Sequence, residues 1–207
     1  MIGIAEQTVL SHEFQQMRVY WSEVATPEAL LEGAGRKAAE QKYRQVLREI
    51  VNLITPLSFP YPAVVANLEE LDDLLTEGRE RYSEALERLA GNVQYELTAT
   101  WSDNESSDLA TPVSGKEYLR RREESESRVA AIDAKLRSVG SGMVLDWRAR
   151  RDRRSYLWFA LMPRAAREQF IAALRSAGPS ERVRLRLSGP WPPDEFAWQT
   201  GSNAVVR

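Results

Sequence analysis

The stretch "SYLWFALMPRAAREQFIAALRSAG", residues 155–178, decides the fold. Its first eight residues are apolar at almost every position, which is typical of a strand covered on both faces of its sheet. After Pro163 the apolar residues recur at helical spacing, so we predict a helix whose inward face carries Ala166, Phe170, Ala173 and Ala177. A buried strand that runs directly into a helix indicates a sheet covered by helices.

Two further strands are predicted from strict alternation. In "RVRLRLS", residues 182–188, arginines alternate with aliphatic residues, and in "NVQYELTATW", residues 92–101, polar residues alternate with apolar ones. Alternation of this kind predicts a strand with one buried face. We expect the last strand to stop at Gly189, because prolines follow at once and proline does not pair inside a sheet.

A long helix is predicted between these strands. Ser114 is a suitable N-cap for residues 115–140, and charged residues fill most of the first half of that stretch. We therefore expect part of the helix to project past the sheet. After it, "GMVLDW", residues 142–147, predicts a short strand, and "RARRDRR", residues 148–154, predicts a basic turn.

From residue 91 onward the predicted order is strand, helix, strand, strand, helix, strand. That order is typical of a split βαβ, ferredoxin-like sheet. We predict an α+β fold with two domains. Residues 1–90 form a small N-terminal α+β domain, and residues 91–207 form a ferredoxin-like domain with a long projecting helix, which ends in the loop "GPWPP".

The N-terminal half shows weaker signals at its start. The opening "IGIAEQTVLS" predicts a short strand, and Ser11 looks like the cap of a helix. Thr26 and Pro27 predict the start of a second helix, which Gly33 and Gly35 divide into two pieces. The second piece carries its apolar residues at helical spacing: Ala39, Tyr43, Val46, Leu47 and Ile50.

A third helix follows a proline-rich connection. Asn67 is its predicted N-cap and Gly91 its stop. The apolar stripe has spacings of three and four residues and consists of Leu68, Leu71, Leu75, Tyr82, Leu86 and Leu89.

The composition is that of a folded protein, with 43% hydrophobic and 28% charged residues. No apolar run approaches the roughly 20 residues that span a bilayer. The N-terminus lacks a basic start followed by an apolar stretch, so we expect no signal peptide. The chain has no cysteine, which excludes disulfides and thiol chemistry. We expect a soluble cytoplasmic protein that does not associate with membranes.

The formal net charge of −2 hides an asymmetry along the chain. Residues 1–110 carry 19 acidic and 9 basic side chains, whereas residues 111–207 carry 11 acidic and 19 basic ones. Such a division can favour contact between the halves, head-to-tail contact between copies, or charged partners. Simple solvation of both faces is an equally good interpretation.

No catalytic constellation is predicted. His12 is the single histidine and has no second histidine to share a metal or a proton with. The chain lacks glycine-rich phosphate-binding motifs, and the acidic pairs Glu69/Glu70 and Asp72/Asp73 lie in the first turns of a predicted helix, where they stabilise the dipole. We predict no enzyme activity, no cofactor and no metal.

Arginines supply the best argument for a nucleic-acid partner, since a basic patch is what phosphate binding requires. A predicted turn and the polar face of the last strand are ordinary places for solvated charge, however, and no aromatic RNA-binding motif accompanies them. A nucleic-acid-binding module is therefore kept only as the alternative. The arginines are Arg148, Arg150, Arg151, Arg153, Arg154, Arg182, Arg184 and Arg186.

The loop after the last strand holds two aromatic residues, Trp191 and Phe196, among prolines. Proline restricts the backbone, so the loop is stiff. Trp191 either covers the end of the sheet and locks the fold, which we favour because tryptophan is usually well buried, or serves as a rigid interface anchor.

The same residues resemble a known family. "LRLSGPWPPDEF", residues 185–196, closely resembles the ending of the gas vesicle protein F/L family, approximately a strand followed by "GPWPPYSF". Asp194 and Glu195 stand where that family usually has tyrosine and serine. The matching residues are Gly189, Pro190, Trp191, Pro192, Pro193 and Phe196.

Further blocks agree in the same order. "PLSFP", "LAGNVQYELTATW" and "YLWFALMPRAAREQF" each resemble a family block, and "VSGKEYLRRR" resembles the family's "SG-YL-RR" helix start. The resemblance covers residues 50–207 well. In the helix-start block the matching residues are Ser114, Gly115, Tyr118, Leu119, Arg120, Arg121 and Arg122.

This resemblance implies an accessory or minor gas vesicle protein of two domains, the C-terminal one ferredoxin-like. It implies a role in vesicle assembly through binding of the small, apolar shell protein and of other accessory proteins, which prevents aggregation or aids nucleation. It further implies binding rather than catalysis, and a cytoplasmic location in association with the vesicle.

Overall fold

The computed structural model describes residues 7–26, 33–101, 114–152, 155–178 and 183–198. The chain forms two compact units. Unit 1 comprises residues 1–93 and 190–207, and unit 2 comprises residues 94–189. The units change at residues 93/94 and 189/190, whereas the predicted domains are 1–90 and 91–207.

Unit 1 begins with a β-hairpin. Strand β1 (Leu10–Phe14) pairs antiparallel with β2 (Met17–Trp21), and Ser11 lies opposite Tyr20. The predicted helix start at Ser11 is therefore wrong. β2 alternates between half-buried and exposed residues, as β1 does from Ser11 onward. Gln15 takes a φ of 54° in the connecting turn.

Helix α1 spans Gly33–Leu53. Gly35 lies within it, so the predicted break at this glycine is wrong. Thr26 has no regular structure, and the predicted first helical position at Pro27 lies outside the described residues. The apolar spacing predicted the inward face: Ala39, Val46 and Ile50 are buried, and Tyr43 and Leu47 are half-buried. Val51, which is also buried, was not predicted.

The predicted third helix is two helices, α2 (Leu68–Glu77) and α3 (Arg79–Leu89). Asn67 caps α2 as predicted, since its side chain accepts a hydrogen bond from the Glu70 amide at 2.9 Å. The helices divide at Gly78, where the ring of Tyr82 lies so close that a Cβ atom would stand 2.2 Å from it. Leu71, Leu75, Ala85 and Leu89 are buried, whereas Leu68 is exposed.

The second sheet has four strands in the order β4-β5-β3-β6. In chain order its elements are β3 (Asn92–Trp101), α4 (Gly115–Val139), β4 (Asp146–Asp152), β5 (Ser155–Pro163), α5 (Arg167–Ser176) and β6 (Val183–Trp191). A 3-10 turn at Arg164–Ala166 precedes α5, and a short helix α6 (Asp194–Ala197) follows β6 in unit 1. The protein is thus a mixed α+β fold with two sheets.

Three predictions in this region are wrong. The basic "turn" at residues 148–152 is strand β4, in which Arg148 pairs with Phe159 and Arg150 with Leu157. The short strand predicted at residues 142–147 begins only at Asp146. The last strand also continues past Gly189 to Trp191. Arg153, Arg154 and Arg182 lie outside the described residues.

The core of unit 2 lies between the sheet and helices α4 and α5. Phe170 of α5 is fully buried, with its ring centroid 6.2 Å from that of Tyr95 and 6.1 Å from that of Trp147. Trp158 donates its indole N–H to Asp133 of α4 at 2.9 Å. β5 is buried from Trp158 to Met162, as its unbroken apolar sequence predicted.

Candidate functional site

The candidate site is the C-terminal segment, defined here as Pro190–Trp198. Proline has no amide hydrogen, so Pro192 and Pro193 end β6, and both are buried. α6 begins directly after them, with Phe196 donating its amide to the Pro193 carbonyl at 3.0 Å. The Phe196 side chain is only 1% exposed. The segment is thus anchored in the core of unit 1.

A half-buried carboxylate fixes the segment to the loop after α1. Asp194 accepts the Ser58 amide at 2.8 Å on one oxygen and the Ser58 hydroxyl on the other. Burial raises the pKa of Asp194 to about 6, although the two hydrogen bonds from Ser58 lower that pKa and so offset part of the burial effect. The Asp194 carboxyl that accepts these hydrogen bonds therefore changes its protonation state close to neutral pH.

Tyr43 of α1 belongs to the same cluster. Its hydroxyl donates to the carbonyl of Phe59 at 2.7 Å, and its ring lies 5.4 Å from that of Tyr61. Burial, followed by the charge of Asp194, raises the pKa of Tyr43 to about 12. The phenol thus remains protonated and keeps its hydrogen bond at physiological pH.

Arg88 of α3 holds the end of α6. Both terminal nitrogens of its guanidinium donate to the Phe196 carbonyl at 3.1 Å, and one of them also donates to the Ala197 carbonyl at 3.0 Å. The last carbonyls of a helix carry partial negative charge, so a cation is favourable there.

Trp191 packs against two arginines of α1. The guanidinium carbon of Arg48 lies 4.6 Å from the centre of its ring, and that of Arg44 lies 5.9 Å away. Arg44 also pairs with Glu40 at 3.1 Å. The ring is half-buried, and cation–π contacts of this kind contribute about 0.5–1 kcal/mol each at exposed positions.

A row of aromatic rings completes the segment. Trp198 meets Tyr82 edge to face at 5.9 Å, and Tyr82 meets Phe59 in the same way at 6.0 Å. Arg81 lies beside this row, with its guanidinium carbon 4.9 Å from the Trp198 ring and 5.1 Å from the Tyr82 ring.

The predicted motif residues are divided between the two units. Pro190, Trp191, Pro192, Pro193 and Phe196 belong to unit 1, whereas Gly189 and the helix-start residues belong to unit 2. Gly189 approaches Tyr95 so closely that a Cβ atom would stand 2.7 Å from its ring.

At the start of α4, Ser114 caps the helix by accepting the Glu117 amide at 3.3 Å, and Gly115 is the first helical residue. Leu119 is 56% exposed. Arg120 pairs with Glu117 and Glu124, and Arg122 pairs with Glu126, all at 2.8 Å. The side chains of Tyr118 and Arg121 lie outside the described residues.

Sequence reasoning missed Ser58 and Arg88 as partners of this segment and Trp198 as one of its members. Ser58 was quoted within "PLSFP", but a contact across 136 residues has no local signal. Arg81 and Arg88 are seven residues apart on one helix, which places both on one side of α3. This spacing was the sequence signal that these two arginines act together.

Three other candidate groups have partners. His12 contacts Asp72 at 2.8 Å, and the guanidinium groups of Arg150 and Arg151 lie over the rings of Phe159 and Tyr156. Within the described ranges, no three His, Cys, Asp or Glu side chains converge as metal ligands would. In the same ranges no helix is both long and apolar enough to cross a membrane.

The fold and the site define the chain as a mixed α+β protein whose proline-rich, aromatic ending is built into its N-terminal unit. Residues 1–197 match the model of the family described as gas vesicle synthesis protein GvpL/GvpF. The chain belongs to this family, and its role is therefore connected with gas vesicles.

One relative agrees with this assignment. Gas vesicle protein L from Streptomyces sp. (strain CB03234) is 26% identical over 176 residues, which span 72% of this chain and 66%, just under two thirds, of that protein.

Two crystal structures of the gas vesicle protein GvpF share the fold. The one from Anabaena sp. PCC7120 matches with a TM-score of 0.72 at 18% identity, over 96% of this chain and 89% of that one. The one from Microcystis aeruginosa matches with a TM-score of 0.74 at 15% identity, over 96% and 92%.

Proposed function

We propose that this gas vesicle protein acts in assembly by binding the major shell protein, so that the shell protein does not aggregate and the shell can nucleate. Other accessory gas vesicle proteins are its further partners. The observation that carries this proposal is the family match over residues 1–197. The role is one of binding rather than catalysis, and it is exercised in the cytoplasm in association with the vesicle.

Two features of the chain support a binding role. The C-terminal segment presents Trp191, a rigid half-buried aromatic residue of the kind that anchors interfaces. The division of charge between the two halves of the sequence offers surfaces of both signs to partners. The start of α4, with its exposed Leu119, is a second possible contact surface.

A ferredoxin-like domain is also part of the proposal. The element order β3-α4-β4-β5-α5-β6 and the sheet order β4-β5-β3-β6 support it for unit 2. Unit 1 then serves as the smaller α+β domain, and it includes the C-terminal segment.

Co-expression with the major shell protein tests the function. A tagged copy of this protein is purified at low and at moderate salt, with the shell protein expressed alone as control. Retention of soluble shell protein supports the proposal, and loss of retention at moderate salt implicates the charged surfaces. A shell protein that aggregates just as it does alone overturns direct binding.

Charge reversal at two sites makes this test specific. Arg184→Glu with Arg186→Glu reverses two exposed charges on β6, while Lys116→Glu with Arg175→Glu makes the same change in charge on α4 and α5. Loss of retention only in the first variant assigns the contact to β6. Equal loss in both assigns it to overall charge.

The alternative, a nucleic-acid-binding module, has less support. The family match does not point to it, although the stacking of Arg150 and Arg151 on aromatic rings of β5 engages only the flat faces of their guanidinium groups. Fluorescence anisotropy with labelled single-stranded and duplex DNA tests it, since phosphate binding would weaken steeply as salt rises.

A further inference from the structure

Helix α1 carries basic residues along its exposed side. Three cations and a glutamine follow one another at spacings of three and four residues, which places them on one side of the helix, opposite the buried Val46 and Ile50. Three of these four residues, together with Glu40, line a shallow cavity of about 280 Å³. The four exposed residues form the basic stripe: Lys37, Gln41, Arg44 and Arg48.

The charge along the basic stripe is positive even when the neighbouring acids are counted. Glu40 lies beside the stripe and pairs with Arg44 at 3.1 Å. Glu49 follows Arg48 directly and therefore lies about 100° away from it around the helix. Lys37 and Arg48 form no ion pair with a carboxylate of the described residues. Since α1 as a whole has five basic and two acidic side chains, its exposed side favours an anionic partner.

An aromatic ring adjoins the basic stripe. Trp191 lies 4.6 Å from the guanidinium carbon of Arg48 and 5.9 Å from that of Arg44. Stacking engages the flat face of a guanidinium and not its in-plane N–H donors. The two acids of the C-terminal segment, Asp194 and Glu195, are half-buried, and Asp194 is directed at the loop after α1. Arginine and tryptophan side by side are typical of protein interfaces.

Helix α2 carries the opposite charge. It has five acidic residues and no basic one. Two of its acids have partners, since Glu70 accepts the Ala66 amide at 2.6 Å and Asp72 contacts His12 at 2.8 Å. The other three are exposed, follow one another at intervals of four residues, and form no ion pair or hydrogen bond with the described residues. They repel one another at this spacing. They form the acidic ridge: Glu69, Asp73 and Glu77.

We propose that the basic stripe of one copy of this protein binds the acidic ridge of a second copy. Four residues of helix rise by about 6 Å, so the step from Arg44 to Arg48 equals the step from Asp73 to Glu77. The two helices can therefore pair their charges turn by turn.

Apolar surface accompanies the charge on both sides of this contact. Leu68, which is 43% exposed, precedes the acidic ridge, as Trp191 adjoins the basic stripe. Exposed ion pairs alone bind weakly, so these apolar side chains are needed for a stable contact. The inference goes beyond the proposed function, because the partner is the same chain and not a shell protein.

Sedimentation velocity of the full-length chain tests the proposal. At low salt the average mass should rise with protein concentration, and about 0.5 M sodium chloride should return it to that of the monomer, because salt screens exposed charges. A two-fold axis would make the contact twice and stop at a dimer, whereas other arrangements add further copies, and both results support the proposal. A chain that stays monomeric at low salt, or an association that salt does not weaken, overturns it.

Charge reversal assigns the contact to these two surfaces. Asp73→Lys with Glu77→Lys reverses the acidic ridge, and Arg44→Glu with Arg48→Glu reverses the basic stripe. Each pair of changes should weaken the association at least tenfold. All four changes in one chain restore opposite charges on the two surfaces and keep the net charge at −2, so this variant should associate again. If it folds and stays monomeric, the proposal is wrong.

Matched controls lie at exposed positions of unit 2. Lys116→Glu with Arg175→Glu changes the net charge as the stripe reversal does, and Glu123→Lys with Glu168→Lys changes it as the ridge reversal does. Controls that weaken the association as much as the reversals overturn the proposal. Melting temperatures check folding. If the stripe reversal, which also removes the packing on Trp191, does not fold, the ridge reversal against its control decides.

Discussion

The carboxylate of Asp194 accepts both the amide and the hydroxyl of Ser58, which lies 136 positions earlier in the chain. These two bonds join the loop after α1 to the start of α6 within unit 1. They only partly offset the burial that raises the pKa of Asp194. The contact that fastens the C-terminal segment is therefore under electrostatic stress when the carboxyl is ionised.

Asp194→Asn should relieve that stress at neutral pH. The pKa of Asp194 is about 6 in the folded chain against 3.8 for an unperturbed carboxyl, so the folded state binds the proton more tightly. The stability that this provides is fully present below about pH 4 and is lost as the pH rises through about 6. Relative to the native chain, the free energy of unfolding of the variant should rise by up to about 3 kcal/mol between pH 4 and pH 7. Urea unfolding across this range measures it.

Two controls accompany this experiment. Ser58→Ala removes a donor that lowers the pKa of Asp194, so it should cost more stability at pH 8 than at pH 5. Glu195→Gln removes the neighbouring charge, the smallest of the four effects on that pKa, and should change the pH dependence less than Ser58→Ala does. Parallel stability curves for the native chain and Asp194→Asn would contradict the assignment.

The sequence correctly predicted features that depend on interactions between neighbouring residues. Asn67 and Ser114 cap their helices because each side-chain oxygen accepts a hydrogen bond from the amide three residues later, which has no partner within the helix. Alternation in β3 correctly predicted that Val93, Tyr95, Leu97 and Ala99 are buried. These features depend on residues only a few positions apart.

The features that the sequence did not predict depend on residues far apart in the chain. The β1–β2 turn contains no Gly or Asn to announce a hairpin, and Gln15 adopts a positive φ instead. The sequence of β4 is typical of a charged turn when it is read alone. In the structure, Arg150 packs over the ring of Phe159 and Arg151 over the ring of Tyr156, and both rings belong to β5. The partners of the C-terminal segment come from α1, α3 and their loops, far away in sequence.

Gly189→Ala should strongly destabilise the protein. This glycine has a φ of 140°, and an added Cβ would lie 2.7 Å from the Tyr95 ring and 3.0 Å from the Gln94 carbonyl oxygen. Backbone strain and overpacking together should cost about 2–4 kcal/mol. Gly142→Ala is the matched control, because Gly142 also has a positive φ but has open space around it; its cost should be about 1 kcal/mol. Equal losses by urea unfolding would refute the role of the Tyr95 contact.

Trp191→Ala tests whether the motif tryptophan locks the fold or recognises a partner. Its half-buried ring packs under Arg44 and Arg48, so we expect a loss of about 2–3 kcal/mol. Arg48→Met keeps the aliphatic stem and should cost less than about 1 kcal/mol. Intact thermal stability of Trp191→Ala together with lost retention of the shell protein would instead assign the ring to an interface.

Asp133→Ala should destabilise unit 2 through its effect on Trp158. The indole is only 1% exposed and donates its N–H to Asp133 at 2.9 Å, so truncation leaves a buried donor unsatisfied. We expect a loss of about 1–3 kcal/mol. Asp133→Asn keeps an acceptor oxygen and should cost clearly less. Arg137→Ala, which removes the other partner of Asp133 on an exposed helix face, should cost about 0.5 kcal/mol or less. Urea unfolding of the three variants measures the order of these stability losses. If Asp133→Asn is as unstable as Asp133→Ala, the carboxylate charge, and not the indole hydrogen bond, sets the stability of this contact.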